Sequence, residues 1–306
     1  MAKVLKKEIP VTFVPELRGH AVESARKAMK PGEIILLENL RRDPGETKND
    51  PAFAKYLASL GDIFVQDAFG VCHREHASVV GIPRFLPSYA GTLVRDEVKT
   101  LNAALKPQHP SFAILGGAKF ETKAPLIGKL LAAYDRVFIT GALANDVFKA
   151  KGYPVGKSKI SAEAPSQEIL SNPHFLAPVD VTVQQPDGQR KVKLPEDVKD
   201  DEIIFDIGPE TVRLIAPSLE AAQFILWNGP TGYYEGVYTN YTHAIAEILA
   251  RRTEAGVKVV IGGGDTIAAI ESSGLATHKV GFLSTGGGAM IDFMMEGTLP
   301  GIKALD

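Results

Sequence analysis

The chain has little that would tie it to a membrane, a secretory route or a nucleic acid. One cysteine in 306 residues, Cys72, excludes an internal disulfide and a cysteine-rich metal site. No apolar run approaches the roughly 20 residues that a bilayer requires, and the opening Met1-Ala2-Lys3-Val4-Leu5-Lys6-Lys7 lacks the apolar core of a signal peptide. With 34 basic against 36 acidic residues the net charge is only −2. No global field recruits nucleic acid or a lipid surface, so any basic site is local. The expectation is a cytoplasmic protein with small-molecule partners, no nucleic acid and no membrane.

Glycine, by contrast, is abundant and falls at telling places. Five apolar runs stop at it: Phe112-Leu115 before Gly116-Gly117, Val137-Thr140 before Gly141, Phe224-Trp227 before Asn228-Gly229, Val257-Ile261 before Gly262-Gly263-Gly264, and Val280-Leu283 before Ser284-Thr285-Gly286-Gly287-Gly288. Short apolar runs bounded by turn residues and separated by helix-length segments read as buried parallel strands. Ligands on such sheets bind beyond the carboxyl ends of the strands. Glycine lets backbone N–H groups approach an anion closely, and a helix starting just after the turn adds partial positive charge. The chain reads as a phosphate-binding α/β protein.

Two domains follow from length and pattern. Ala90, Leu93, Val94, Val98, Leu101 and Leu105 recur at helical steps until Pro107, predicting a connecting helix over residues 89–106. Before it, residues 1–88 hold three expected strands, Val11-Val14, Ile34-Leu37 and Ile63-Gln66, too few for an independent doubly wound domain. After it, residues 107–306 hold at least six, among them Val179-Gln184 and Ile203-Asp206, enough for a full α/β domain. The polar stretch from Gln185 to Asp201 reads as a surface hairpin and loop.

One motif is set aside. Gly152 to Ser158 ends like a P-loop, but Lys151 stands where that loop needs glycine, and no strand feeds it. Nor does any glycine turn give the dinucleotide fingerprint, which disfavours a nicotinamide dehydrogenase. Better placed are Lys119 and Lys123, which follow Gly116-Gly117-Ala118. One helical turn apart, they share a face, so that both ammonium groups reach one polyphosphate. The macrodipole opposes lysines near a helix N-terminus, so a bound anion accounts for them better than stability does. Asp265, after Gly262-Gly263-Gly264, is either a helix cap or a ligand for Mg²⁺, which takes one or two protein carboxylates alongside substrate phosphates. Thr266 offers a hydroxyl to a phosphate. Asn228 and Glu235 offer hydrogen bonds to a sugar or phosphate, and Trp227 reads as core.

The ordered set Leu36-Leu37-Glu38-Asn39-Leu40-Arg41, Asp67-Ala68-Phe69-Gly70 leading into His73-Arg74-Glu75-His76-Ala77-Ser78, Gly116-Gly117-Ala118-Lys119, Asp206-Ile207-Gly208-Pro209, Trp227-Asn228-Gly229-Pro230, Gly262-Gly263-Gly264-Asp265 and Ser284-Thr285-Gly286-Gly287-Gly288-Ala289 resembles phosphoglycerate kinase. The resemblance implies two doubly wound, Rossmann-like α/β domains joined by a helix, the first incomplete, with the last residues packing back toward the first domain. It implies Mg²⁺-assisted phosphoryl transfer between 1,3-bisphosphoglycerate and ADP, giving 3-phosphoglycerate and ATP, by a monomer. By position, Lys119, Lys123, Gly264 and Gly287 would carry catalysis. Gly117 and Gly141 would border the adenine, Asn228 and Glu235 would contact the nucleotide, and Asp265 would hold the metal. Thr266, Gly286 and Gly287 would bind phosphate, while Arg41, His73, Arg74 and His76 would receive the acid.

The departures from the family pattern carry their own expectations. The family's opening strands and helices, with an Asp-Phe-Asn motif and further basic residues that grip the acid, have no counterpart here. Met1-Ala2-Lys3-Val4-Leu5 aligns inside the family's first domain. The expectation is therefore a phosphoglycerate kinase poorly active as this chain alone, and the alternative is an N-terminally truncated nucleotide-binding module without transferase activity. Thr140-Gly141-Ala142-Leu143-Ala144-Asn145 stands where many members carry a glycine triplet and methionine. Glu210 replaces a common lysine and Thr231 a usual methionine.

Overall fold

A computed structural model describes residue 7 and residues 9–236 and 238–306; the opening Met1 to Leu5 lies outside the described residues. The chain divides into two units, one of residues 1–95 with 298–306 and one of residues 96–297. The helix Thr92–Leu105 carries the chain from the first to the second.

In the first unit, strands β1 (Val11–Val14) and β2 (Ile34–Leu37) pair in parallel, and so do β3 (Phe64–Gln66) and β4 (Ser88–Ala90). The sequence pattern gives the first three of these strands and misses β4, whose three residues are too short to show a period. Each pair is a separate two-stranded sheet. The helix Pro51–Ala58 starts where proline fixes the first helical residue and the Asp50 side chain accepts the Phe53 N–H at 2.8 Å. Its Phe53, Ala54, Leu57 and Ala58 pack with Ala77 and Ile82 as the core of this unit. The closing residues return to it, the Gly301 N–H donating to the Cys72 carbonyl at 2.8 Å. A Cβ on Gly301 would meet Cys72 and Val79, so only glycine allows this approach.

The second unit is built on a six-stranded parallel sheet. It comprises β5 (Ser111–Leu115), β6 (Arg136–Ile139), β7 (Phe175–Leu176), β11 (Phe224–Asn228), β12 (Lys258–Gly262) and β13 (Phe282–Leu283). Spatial order is β13-β12-β11-β5-β6-β7. The chain therefore fills one side from β5 outward, then returns beside β5 to fill the other, and the switch point lies between β5 and β11. All five residues of β5 and of β11 are buried, as strands covered on both faces must be. Fully buried Trp227 sits in the main core with Phe112, Phe138, Ile225 and Ile261. Helices such as Phe120–Ala133, Pro209–Ala221 and Asn240–Glu254 make the connections.

Two expectations for this unit need correction. The runs at Val179-Gln184 and Ile203-Asp206 are strands, β8 (Val181–Gln184) and β10 (Ile203–Ile207), but not members of the parallel sheet. They form a separate antiparallel sheet with β9 (Arg190–Lys193) in the order β10-β8-β9. The polar stretch after Gln184 is what folds back as the hairpin, with the exposed β9 on its return. Within Val280-Leu283 only Phe282 and Leu283 are strand, because Val280 ends the short helix Thr277–Val280. Among the described residues no helix is long and apolar enough to cross a membrane. The Gly152–Ser158 segment is no phosphate loop: no helix starts directly after Ser158, and its hydroxyl accepts the Ile204 N–H at 2.8 Å.

Candidate active site

The glycine turns lie where the topology places a ligand, at the carboxyl ends of β5, β6, β11, β12 and β13. The turns after β5 and β11 press together at the switch point. The Gly116 N–H donates to the Asn228 carbonyl at 2.8 Å, and a Cβ on Gly116 would stand 2.4 Å from the Pro230 carbonyl oxygen. Gly141 closes on the same place, since its Cβ would be 2.8 Å from the Gly117 nitrogen. Gly117, Gly141, Gly263 and Gly287 all take positive φ, at 100°, 63°, 93° and 47°. Backbone of that kind excludes most side chains.

Lys123 crosses this junction. Its ammonium group donates to the Gly116 carbonyl at 2.5 Å and reaches Asn228 Oδ1 at 3.4 Å. Burial pushes the amine down to about 8, against the pull of nearby Asp265. Asn228, itself buried, turns its amide toward Gly262 and Gly263. Lys119 differs from the helical pair expected. It stands before the helix Phe120–Ala133, exposed and with φ of 67°, so the two lysines are not one turn apart on one face. A lysine in the left-handed region is uncommon and strained by about 1 kcal/mol or more.

Asp265 is exposed in the first turn of the helix Gly264–Glu271, where Gly263 occupies the cap position. It is therefore not the helix cap. Its Oδ1 accepts the Tyr234 hydroxyl at 3.4 Å, and Oδ2 has no hydrogen-bond partner among the described residues. No cluster of three or more His, Cys, Asp or Glu able to hold a metal occurs among the described residues. A single exposed carboxylate beside glycine turns fits Mg²⁺, which takes its remaining ligands from phosphates and water. Thr266 departs from expectation. It is fully buried, its hydroxyl donates to the Gly262 carbonyl at 2.9 Å and accepts the Gly229 N–H at 2.7 Å, and so it fastens two turns together instead of facing a phosphate.

Beside the junction opens a cleft of about 370 Å³, bordered by Gly117, Gly141, Phe205, Tyr233, Glu235 and Asp265. Its volume suits a nucleoside. The Tyr233 ring stacks on Phe205 with centroids 5.3 Å apart. Asp206 also reaches this wall; it accepts the Thr231 hydroxyl at 2.8 Å and its own chain's Ile207 N–H at 2.9 Å, and burial pushes its carboxyl up to about 7. Gly264, Gly286 and Gly287 lie outside the cleft wall, at the starts of the helices Gly264–Glu271 and Gly288–Glu296.

In the first unit Arg41, His73, Arg74 and His76 come together. Burial lowers the His76 pKa, and the charges of Arg41, Arg74 and His73 lower it further, against the pull of Glu46. Glu46 is buried and accepts from both the backbone and the hydroxyl of Ser78, with His76 Nδ1 3.6 Å away. Neighbouring arginines are neutralised, Arg42 by Glu38 at 3.1 Å and Arg18 by Asp43 at 2.7 Å. Arg41 and Arg74 have no carboxylate partner among the described residues.

Two positioning residues gave no functional reading in the sequence. Asp67 caps the connecting helix, accepting the Leu93 N–H at 2.7 Å, and its carboxyl fills the space a Gly91 Cβ would need. Glu97, on the same helix, grips Thr285. The signal for Glu97 was a charge at a core position of the stripe Val94, Val98, Leu101.

Comparison with known proteins agrees with this geometry. A family model for phosphoglycerate kinase matches residues 1–297. The chain is 43% identical over 299 residues to a phosphoglycerate kinase of Moorella thermoacetica, covering 94% of this chain and 75% of that one. It is 41% identical over 318 residues to one of Thermosipho africanus, covering 100% and 78%. The solved phosphoglycerate kinase of Coxiella burnetii superposes with a TM-score of 0.81 at 36% identity, over 99% of this chain and 78% of that one. The Pyrococcus horikoshii enzyme gives 0.82 at 28% identity, over 99% and 80%. With the parallel sheet, its glycine-lined carboxyl edge and the basic cluster in place, the chain belongs to the phosphoglycerate kinase family, enzymes that pass a phosphoryl group between an acyl phosphate and ADP.

Proposed function

We propose that the second unit binds the nucleotide and the first the acid. The cleft at Gly117, Gly141 and Tyr233 takes adenine and ribose, with Glu235 and Asn228 as hydrogen-bonding partners. Lys119, Lys123 and the helix starts at Gly264 and Gly286-Gly287-Gly288 hold the phosphates, and Asp265 holds Mg²⁺. Arg41, His73, Arg74 and His76 hold the phosphoglycerate. The observation that carries this reading is the convergence of Lys123, Asn228 and the turns after β5, β6, β11 and β12 at the switch point of the sheet.

The chemistry asks for little else. In the direction of ATP use, a carboxylate oxygen of 3-phosphoglycerate attacks the γ-phosphorus, the bond to the β-phosphate oxygen breaks, and 1,3-bisphosphoglycerate and ADP result. No covalent enzyme intermediate or proton abstraction is needed, so positioning and charge neutralisation are the whole task. Lys123 supplies a partly desolvated cation, whose field is less screened than that of a fully solvated lysine. Lys119 supplies a second on a strained turn, and the helix starts at Gly264 and Gly288 add partial positive charge for phosphate oxygens. Asp265 would hold Mg²⁺, which when bound would supply neutralisation of phosphate charge. The same reading takes the chain as a cytoplasmic monomer whose partners are these small molecules.

Calorimetric titration of the chain with ADP, with and without Mg²⁺, tests the nucleotide half. Saturable binding that weakens at least tenfold in Lys123→Ala is expected. A coupled assay of ADP formation from ATP with 3-phosphoglycerate tests transfer. Absence of nucleotide binding at millimolar concentration would overturn the assignment.

A further inference from the structure

The turn that lines the base pocket also touches the carboxylate assigned to the cation. After Thr231-Gly232 the chain makes a single 3-10 turn, Tyr234–Gly236, that sets Tyr234 and Glu235 side by side. The turn is tightly held. The Tyr233 N–H donates to the Phe205 carbonyl at 2.7 Å, and the N–H groups of Gly236 and Tyr238 both return to the Tyr233 carbonyl at 3.1 Å. The Tyr233 ring stacks on Phe205, and Phe205 packs on Tyr238 at 4.8 Å. Glycine is required at 236, because a Cβ there would stand 2.5 Å from the Tyr233 ring. From this fixed turn the Tyr234 hydroxyl reaches Asp265 Oδ1 at 3.4 Å, across 31 residues of sequence.

We propose that Tyr234 is a positioning residue for Asp265, so that the turn forming the base pocket also orients the carboxylate for the cation. This rests on the assignment of Asp265 to Mg²⁺. The bond engages Oδ1 and leaves Oδ2, which has no other partner among the described residues, available to a cation. A carboxylate on the first turn of a helix, exposed and otherwise unrestrained, samples several rotamers. A donor on one oxygen removes part of that freedom before the metal arrives, as outer hydrogen bonds do for ligands generally. Base, ribose and cation contacts then come from one rigid segment: Tyr233 at the base, Glu235 at the ribose, Tyr234 at the carboxylate.

The test compares Mg²⁺-free ADP, Mg-ADP and adenosine binding by calorimetry in the whole chain, its Tyr234→Phe variant, its Asp265→Asn variant and the double variant. Phenylalanine keeps the ring and removes only the hydroxyl. The tightening that Mg²⁺ confers on ADP should fall about three- to tenfold in Tyr234→Phe, less than the 10–100-fold usual for loss of a metal ligand's hydrogen-bond partner because the contact is long. Adenosine and Mg²⁺-free ADP should bind as before. The double variant should lose no more than Asp265→Asn alone, since Tyr234 acts through that carboxylate. If Asp265→Asn keeps the full Mg²⁺ effect, the metal assignment falls and the inference with it. If Asp265→Asn loses the effect while Tyr234→Phe keeps it, only the inference falls. Equal weakening of adenosine and Mg-ADP in Tyr234→Phe would reveal a packing role and overturn it as well.

Discussion

Glu97 Oε1 accepts both the backbone N–H and the hydroxyl of Thr285, at 2.6 and 2.9 Å, and so ties the connecting helix to the turn before Gly286-Gly287-Gly288. The carboxyl is 1% exposed, and Oε2 has no partner among the described residues. Burial pushes its pKa up, and the two hydrogen bonds from Thr285 pull part of the way back. An acid whose pKa is raised by folding binds its proton more tightly when native, so stability falls as pH rises above the usual value of 4.5.

Two substitutions separate the charge of Glu97 from its grip on the turn. Glu97→Gln keeps an acceptor without the charge, so the stability of wild type relative to Glu97→Gln should decline as pH rises above about 4.5. Glu97→Ala leaves the Thr285 donors unmatched and should lower stability by about 1–3 kcal/mol. Urea denaturation across that pH range checks both. A pH-independent difference between wild type and Glu97→Gln would contradict the buried ionised state.

Lys123 is the converse case. Its amine titrates near 8 when folded against the usual 10.5 of a solvated lysine, so the unfolded chain holds the proton more tightly in between and stability rises with pH over that window. Below it the fold carries a cation that it would hold more easily as an apolar side chain. Lys123→Met should therefore raise stability at pH 7 by about 1–3 kcal/mol, the range that a shift of this size implies, and should abolish the rise between pH 8 and 10.5. The same variant should weaken ADP binding at least tenfold. Denaturation and calorimetry on one preparation would show whether stability and binding move in opposite directions.

The glycine turns were legible because each does something only glycine can do. Gly117, Gly141, Gly263 and Gly287 hold positive φ at strand ends, and the strands before them are short continuous apolar runs because both faces are covered. Strand direction was not legible. Val181–Gln184 and Ile203–Ile207 have the composition of parallel core strands, yet Val181–Gln184 pairs antiparallel with both Ile203–Ile207 and the exposed Arg190–Lys193. Composition reports burial, not which way a neighbour runs. Two-residue strands such as Phe175–Leu176 carry no period at all. Within the site, residue type showed what could bind but not which way it faced. Thr266 turned inward to join two backbones, and Lys119 left the helix through a backbone state that lysine seldom adopts.

The contact between the β5 and β11 turns can be tested by adding one methyl group. A Cβ on Gly116 would meet the Pro230 oxygen at 2.4 Å and the Gly229 oxygen at 2.8 Å, all backbone that cannot swing aside. Gly116→Ala should push the turns apart, lowering stability by about 1–3 kcal/mol and weakening ADP binding through Lys123 and Asn228. Gly128→Ala is the control. It lies in the helix Phe120–Ala133 with open space around it and should stabilise by about 0.5–1 kcal/mol. Thermal unfolding of the two variants should move in opposite directions.

The basic cluster of the first unit makes a prediction about the acid rather than the nucleotide. Arg41 and Arg74 have no carboxylate partner among the described residues while Arg18 and Arg42 do, and both lower the His76 pKa by adding positive charge beside it. Arginines without a carboxylate partner, set beside a histidine, suit an anion. Bound phosphoglycerate would offset that positive charge and raise the His76 pKa. Binding then takes up protons, and affinity for 3-phosphoglycerate should increase as pH falls toward 6, the sign set by a histidine depressed in the free protein. Arg41→Ala and Arg74→Ala should each weaken 3-phosphoglycerate at least tenfold while leaving Mg-ADP affinity unchanged, and each should reduce the pH dependence because one source of that charge is gone. Calorimetry in two buffers of different ionisation enthalpy measures the proton uptake directly. Equal loss of both ligands would mean that the arginines support the fold, and an unchanged affinity would place the acid elsewhere.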